Sequence, residues 1–241
     1  MFDKNLLEGK RILVTGGGSG LGKEMSRHFL TYGAEVIICG RRDEVLQKTA
    51  KELNDETKGK ITAHSLDIRD SLAIEETINN VFDEGPLDGL VNNAAGNFIS
   101  RTNDLSPNGF NAIASIVFHG TFNMTNTVGK KWIELKQPGT ILSITTTWVW
   151  TGSPFVVPSA MSKSGINAMT KSLAVEWGPH NIRLNCIAPG PFPTEGAWSR
   201  LSPDTEATEG AMDQSSMSSN PMGRVGAVSY THLRAHETER N

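Results

Sequence analysis

Between Lys10 and Ala188 the chain alternates short, apolar, β-branched runs with longer stretches of helical period, and this alternation restricts its fold more than any other feature. A strand that is apolar along its whole length needs cover on both faces. Helices between consecutive strands supply that cover, so repeated βαβ units on a parallel sheet follow. Six runs read as strands: Arg11–Thr15, Glu35–Cys39, Ile61–Leu66, Gly89–Asn92, Thr140–Thr145 and Arg183–Ile187. A long helix opens at Pro158-Ser159 and runs through Trp177, where Gly178-Pro179 stops it. The predicted class is α/β, a single doubly wound parallel sheet with helices on both faces, and 241 residues suffice for one such domain.

Where the first strand gives way to the first helix stands Thr15-Gly16-Gly17-Gly18-Ser19-Gly20-Leu21-Gly22. Glycines at this turn let the backbone approach a pyrophosphate, whose charge is met by the free N–H groups of the helix N-terminus. The spacing is TGxxxGxG, not GxGxxG, and a plain glycine-rich turn is the alternative reading. Its place in the first βα unit favours a dinucleotide, which makes the sheet Rossmann-type. After the second strand, Gly40-Arg41-Arg42 stands where an NAD site carries an acidic residue for the ribose. Two guanidinium groups suit a 2′-phosphate and point to NADPH. A solvated surface pair is the alternative, although positive charge at the start of a helix opposes its dipole.

Composition removes several other classes. With 23 Lys+Arg against 26 Asp+Glu and no basic block, nucleic acid is not an expected partner. No apolar run approaches the ~18–20 residues of a spanning helix, and Met1 to Asn5 lacks a signal-peptide stretch, so a cytoplasmic protein without a membrane partner is expected. Cys39 and Cys186 lie in strand-like runs and read as buried free thiols. His232 and His236 have a ligand-like spacing without an accompanying HExxH or Cys-rich pattern, so no metal is expected. From Pro189 to about Pro221 the chain is rich in Pro, Ser, Thr and Met. This stretch (189–221) reads equally as a substrate loop and as a disordered segment.

TGGGSGLG, Leu66-Asp67-Ile68-Arg69 and Val91-Asn92-Asn93-Ala94-Ala95-Gly96 together resemble the short-chain dehydrogenase/reductase family, from about Leu7 to Gly226. The resemblance implies that Asp67 meets the adenine and that Asn93, Ala94, Ala95 and Gly96 pack beside a cofactor held by Thr15, Gly16, Gly18, Ser19, Gly20, Leu21, Gly22 and Arg41. Pro189, Gly190 and Phe192 resemble the segment over the nicotinamide, followed by Thr194. The family's usual Tyr-x-x-x-Lys is absent: the only tyrosines, Tyr32 and Tyr230, are followed four residues on by Val36 and Arg234. Ordinary ketone reduction is therefore disfavoured.

One branch departs in the same way, the NADPH-dependent 2,4-dienoyl-CoA reductases. Asn92 to Ser100, Leu142 to Thr146 and Thr151 to Ser159 resemble it. The resemblance implies that Ser159 replaces the tyrosine and that Lys163, sharing its helix face at i+4, holds the nicotinamide ribose. It implies hydride delivery to C5 of the dienoyl chain, with negative charge collecting on the thioester oxygen. Asn97 is one donor to that oxygen, and Trp148 stands where the branch has a second donor, a Tyr. Trp148 is then a poorer donor, or the activity has moved to another enoyl thioester, or the site is inactive; Trp148-Val149-Trp150 reads as well as a plain apolar wall. Arg69 and Arg200 match positions that contact coenzyme A phosphates, and Phe98 and Ser106 match the substrate channel. Trp198, Met212, Met217 and Met222 read as acyl-tunnel residues or as loose loop. Another acyl-thioester reductase and a non-catalytic NADPH-binding homologue are the alternative functions.

Asn220 to Gly226 still resembles the family, whereas Ala227 to Asn241 does not. The expected organisation is one domain over 1–226 and a tail over 227–241, disordered or foreign, in which Ser229 to His236 resembles a translated sequencing adapter. A sheet lacking the family's last strand would leave an unpaired edge and favour aggregation. It would also weaken the homo-oligomer that the resemblance implies through the helices at Pro107–Lys136 and Pro158–Trp177.

Overall fold

The computed structural model describes residues 2–190 and Phe192. Among these residues six parallel strands form one sheet: β1 (Arg11–Thr15), β2 (Glu35–Gly40), β3 (Ile61–Ser65), β4 (Gly89–Asn92), β5 (Gly139–Ile144) and β6 (Ile182–Ile187), in the order β3-β2-β1-β4-β5-β6. The helices are α1 (Gly20–Thr31), α2 (Asp43–Thr57), α3 (Ser71–Asp83), α4 (Pro107–Ala114), α5 (Thr121–Leu135), α6 (Trp148–Thr151) and α7 (Val157–Glu176), with a π turn over Ser115–Gly120 joining α4 to α5. The predicted strands are recovered within one residue at each end. β5 starts one residue early because Gly139 pairs with Ile182, and Thr145 beyond its end still donates to the Ile187 carbonyl.

Strand alternation sends each strand's side chains into two cores. Ile12, Val14, Val36, Ile38 and Val91 pack with Met25 and Leu30 of α1 and Leu46 and Leu53 of α2. Leu13, Ile37, Leu90 and Ile141 pack on the other face with Ile74 and Ile78 of α3 and Met124, Val128 and Trp132 of α5. Trp132 lies flat against β5, where a Cβ on Gly139 would stand 2.4 Å from the indole, and its N–H donates to the Leu87 carbonyl at 2.6 Å. Before the π turn the same helical rod faces elsewhere: Ile113 of α4 joins Val117 and Ile166 of α7 in a third, smaller cluster.

Local signals fix the starts of two helices. The Asp70 carboxylate caps α3 by accepting from the Leu72 and Ala73 amides, and the Ser106 hydroxyl caps α4 by accepting from Gly109 N at 3.1 Å, with Pro107 next in the chain. Both cysteines are free. Cys39 is buried, with its thiol pushed up to about 12 by desolvation, whereas Cys186 is only half-buried beside Asn167. Among the described residues no helix is long and apolar enough to cross a membrane. Thr194, Trp198, Arg200, Met212, Met217, Met222, His232 and His236, most of the 189–221 segment, and 227–241 lie outside the described residues.

Candidate active site

The strand order reverses between β1 and β4, so their carboxyl ends open a crevice at the switch point. The glycine run crosses that end of β1. Gly16, at φ +66° and hydrogen-bonded through its N–H to the Cys39 carbonyl at 2.7 Å, has no room for a side chain, since a Cβ would meet the Ala94 Cα at 3.0 Å. A Cβ on Gly22 would stand 2.4 Å from the Gly16 carbonyl oxygen, so the helix can start this close to the turn only with glycine there. Thr15 Oγ1 accepts from the Asn93 and Ala94 amides, both at 3.0 Å, and donates to the Val91 carbonyl. Asn93 Nδ2 donates to the Thr15 and Gly16 carbonyls at 3.0 and 3.3 Å. The end of β4 is thereby stitched to the glycine turn.

This cradle fits a dinucleotide. Ser19 precedes α1 in an extended conformation without capping it, and no acidic side chain stands in the first turn, so the α1 amides are left for an anion. Arg41 and Arg42 are exposed beyond the end of β2. Asp67, after β3, accepts from the Arg69 N–H at 3.0 Å and from Arg69 Nε at 3.0 Å. The Arg69 guanidinium holds the Asp67 carboxyl below the usual carboxylate range, and the charge of Arg41 adds to the effect. Arg69 therefore sits on the carboxylate that the resemblance gives to the adenine.

The catalytic candidates gather around α7. Ser159 and Lys163 are both buried, one turn apart, and Lys163 Nζ donates to the Ile144 carbonyl at the end of β5. Burial lowers the Lys163 ammonium from 10.5 to about 8. No described residue hydrogen-bonds the Ser159 hydroxyl, whereas Ser162 is committed to the Pro158 carbonyl. Asn97 is half-buried in the segment after β4, and its Oδ1 is buried without a partner among the described residues. That segment is anchored on both sides of Asn97: Phe98 packs against the Ile113, Val117 and Ile166 cluster, and the Ser100 N–H donates to the Phe155 carbonyl at 2.9 Å. Gly96 backs onto Ile116 of the π turn. Phe155, just before α7, holds φ +66°, a conformation that a bulky side chain seldom adopts. Trp148 opens the short α6 and is half-buried, while Trp150 is exposed. Ala95 and Gly190 are exposed, and Pro189 and Phe192 half-buried.

Ser106 is exposed and its hydroxyl is engaged as the α4 cap, a role its position before Pro107 signals in the sequence. Sequence reasoning missed Thr49, a buried residue of α2 whose hydroxyl donates to the Gly18 carbonyl at 2.9 Å. The signal was a polar residue on the apolar stripe of Leu46 and Leu53. Among the described residues no cluster of three or more His, Cys, Asp or Glu side chains could hold a metal. A groove of about 420 Å3 lies at the opposite, amino end of the strands, around Lys10, Arg11, Glu35, Lys60 and Glu84. Its charges are already paired, Arg11 with Glu35 and Glu84, Lys60 with Glu35, and Lys10 with Asp88 outside the groove.

Comparison with known proteins agrees with this fold. A family model described as short chain dehydrogenase matches residues 10–204. A Caenorhabditis elegans protein named probable 2,4-dienoyl-CoA reductase 3, (3E)-enoyl-CoA-producing, is 44% identical over 223 residues, covering 91% of this chain and 71% of that protein. A Bacillus subtilis protein named probable 2,4-dienoyl-CoA reductase, (2E)-enoyl-CoA-producing, is 39% identical over 222 residues, 91% of this chain and 85% of that one. A crystal structure of a short chain dehydrogenase from Bacillus anthracis superposes with a TM-score of 0.79 at 40% identity, covering 91% of this chain and 84% of that chain.

Proposed function

The chain belongs to the short-chain dehydrogenase family and is an oxidoreductase, and from that premise we propose that it reduces 2,4-dienoyl-CoA thioesters to enoyl-CoA with NADPH. The observation that carries this reading is Asn97, half-buried, with an amide N–H2 that donates to no described residue, on a segment anchored to the helix that bears Ser159 and Lys163. An amide N–H2 left free at a site where negative charge develops is available to donate to it.

NADPH, when bound, supplies the hydride for C5 of the dienoyl chain. Thr15, the glycine turn, Asn93 to Gly96 and Lys163 hold it, with Asp67 toward the adenine and Pro189, Gly190, Phe192 and Thr194 about the nicotinamide. Asn97 donates to the thioester oxygen, where negative charge gathers in the transition state. The Trp148 indole N–H is the second donor; it can hydrogen-bond but cannot release a proton near neutral pH, so the proton that completes the product comes from water. Arg69 and Arg200 take the coenzyme A phosphates, and Phe98 and Ser106 the acyl channel. The exposed Phe118, Phe122 and Met161 suit a helical face between copies in a homo-oligomer. The free thiols suit a reducing compartment, the cytoplasm.

The direct test tracks NADPH oxidation with a trans-2,trans-4-dienoyl-CoA, with an enoyl-CoA and a 3-oxoacyl-CoA as comparators and the product double bond assigned by NMR. The dienoyl thioester is expected to turn over fastest, and Trp148→Tyr, which restores a proton-donating phenol, to raise kcat about tenfold or more. Faster reduction of the 3-oxoacyl thioester would refute the substrate class. NADPH binding without turnover, even in Trp148→Tyr, would establish the second reading, a non-catalytic homologue, which the indole at this position favours.

Cofactor choice is checked separately. Arg41→Ala should weaken NADPH binding about tenfold or more, the loss of one charge-assisted contact, and leave NADH affinity within about twofold. Equal losses for both nucleotides in a fluorescence titration would remove Arg41 from the 2′-phosphate site.

A further inference from the structure

Thr49 stands out as a buried polar residue that the mechanism does not use. On α2 it occupies the stripe of Leu46 and Leu53, and its hydroxyl donates to the Gly18 carbonyl oxygen at 2.9 Å. The contact is close on both sides of that bond: a Cβ on Gly18 would stand 3.2 Å from a Leu46 methyl and 3.4 Å from a Val45 methyl. The helix thus grips the middle of the glycine turn through two apolar side chains and one hydrogen bond.

We propose that Thr49 is a positioning residue for the cofactor's pyrophosphate, acting through the orientation of the Gly18–Ser19 peptide. In a trans peptide the C=O and the next N–H point in opposite directions, and the described chain has no cis bond. By holding the Gly18 carbonyl toward α2, Thr49 turns the Ser19 N–H away from α2 and into the turn. No described residue accepts a hydrogen bond from that N–H, and Ser19 itself is exposed. A flip of this peptide turns ψ of Gly18 and φ of Ser19, and Gly18, lacking a Cβ, offers little resistance on its side. A flipped peptide would aim a carbonyl oxygen at the phosphates, replacing a donor with a repulsive dipole. The hydroxyl therefore supplies an orientation that Gly18 does not hold by itself.

The inference rests on the nucleotide-binding part of the function proposed above and not on its substrate. It is tested with Thr49→Val, which keeps the shape and removes the donor, and Thr49→Ser, which keeps the donor. Calorimetric titration would compare NADPH with adenosine 2′-monophosphate, which carries the 2′-phosphate but no pyrophosphate. Thr49→Val should weaken NADPH about five- to twentyfold and leave the monophosphate within about twofold, and Thr49→Ser should restore NADPH to within about twofold of the parent. Unchanged NADPH binding in Thr49→Val would overturn the proposal, as would an equal loss for both ligands, which marks general damage. Failure of Thr49→Ser to rescue would overturn it too. A parent protein that binds neither nucleotide would instead overturn the cofactor assignment on which the proposal stands.

Discussion

Asn97→Ala should lower kcat by about 10²- to 10³-fold, the loss typical of removing one donor to a developing oxyanion, and leave stability unchanged or slightly raised. The two halves of this expectation have different origins. The first comes from placing the Asn97 amide where substrate charge develops. The second comes from the buried Oδ1, which lacks a partner among the described residues: deleting an unsatisfied buried polar atom relieves about 1 kcal/mol, which offsets the packing lost from a half-buried side chain. Turnover and urea midpoint, measured on the same preparation, separate them. A midpoint that falls with kcat would mean that Asn97 is structural.

Lys163→Met should abolish measurable turnover and make the protein more stable at pH 7 by about 1–3 kcal/mol. The ammonium is fully buried and its pKa falls from 10.5 to about 8. Below pH 8 both folded and unfolded chains carry the proton, and the folded state bears the whole penalty of a desolvated cation. Between pH 8 and 10.5 the unfolded chain binds more protons than the folded one, so the parent protein gains stability as pH rises. The advantage of the methionine variant should therefore be largest at neutral pH and fade toward pH 10.5. The lost bond to the Ile144 carbonyl keeps the gain below the full penalty. Over the same range kcat/KM of the parent should decline above about pH 8, as the free enzyme loses the cation. Denaturant titrations at three pH values would decide the matter; a variant less stable than the parent at pH 7 would refute the desolvation argument.

The sheet was legible because its central strands β1, β2 and β4 are largely buried on both faces, whereas β6 buries Ile182 and Leu184 and exposes Arg183 and Asn185. Continuous apolar runs such as Ile12 to Val14 and Val36 to Cys39 then mark strands without help from periodicity, and all six lie within a residue of where the sequence puts them. Position in the first βα unit likewise made the glycine turn readable. Contacts between residues that each look ordinary alone could not be read. The Asp67–Arg69 pair spans two residues and closes only because the backbone turns after β3. Thr49 reaches Gly18 across thirty-one positions. The π turn escapes any pattern scored at 3.6 residues per turn, because the residues within it, Ser115 to Gly120, look as helical as their neighbours.

That π turn gives one rod two phases. An inserted residue in a helix amounts to a rotation of about 100° between the turns on its amino side and those on its carboxyl side. Upstream, Ile113 points at α7 and at the cluster holding Phe98; downstream, Met124, Val128 and Trp132 point at the sheet. A regular helix of the same sequence could satisfy one of these directions and not both. Removing a single residue between Ser115 and Gly120 would thus shorten the rod by very little and yet swing its first two turns off the wall behind Asn97, so the angular reading frame of this helix, more than its length or composition, sets the distance between the sheet and the chemistry.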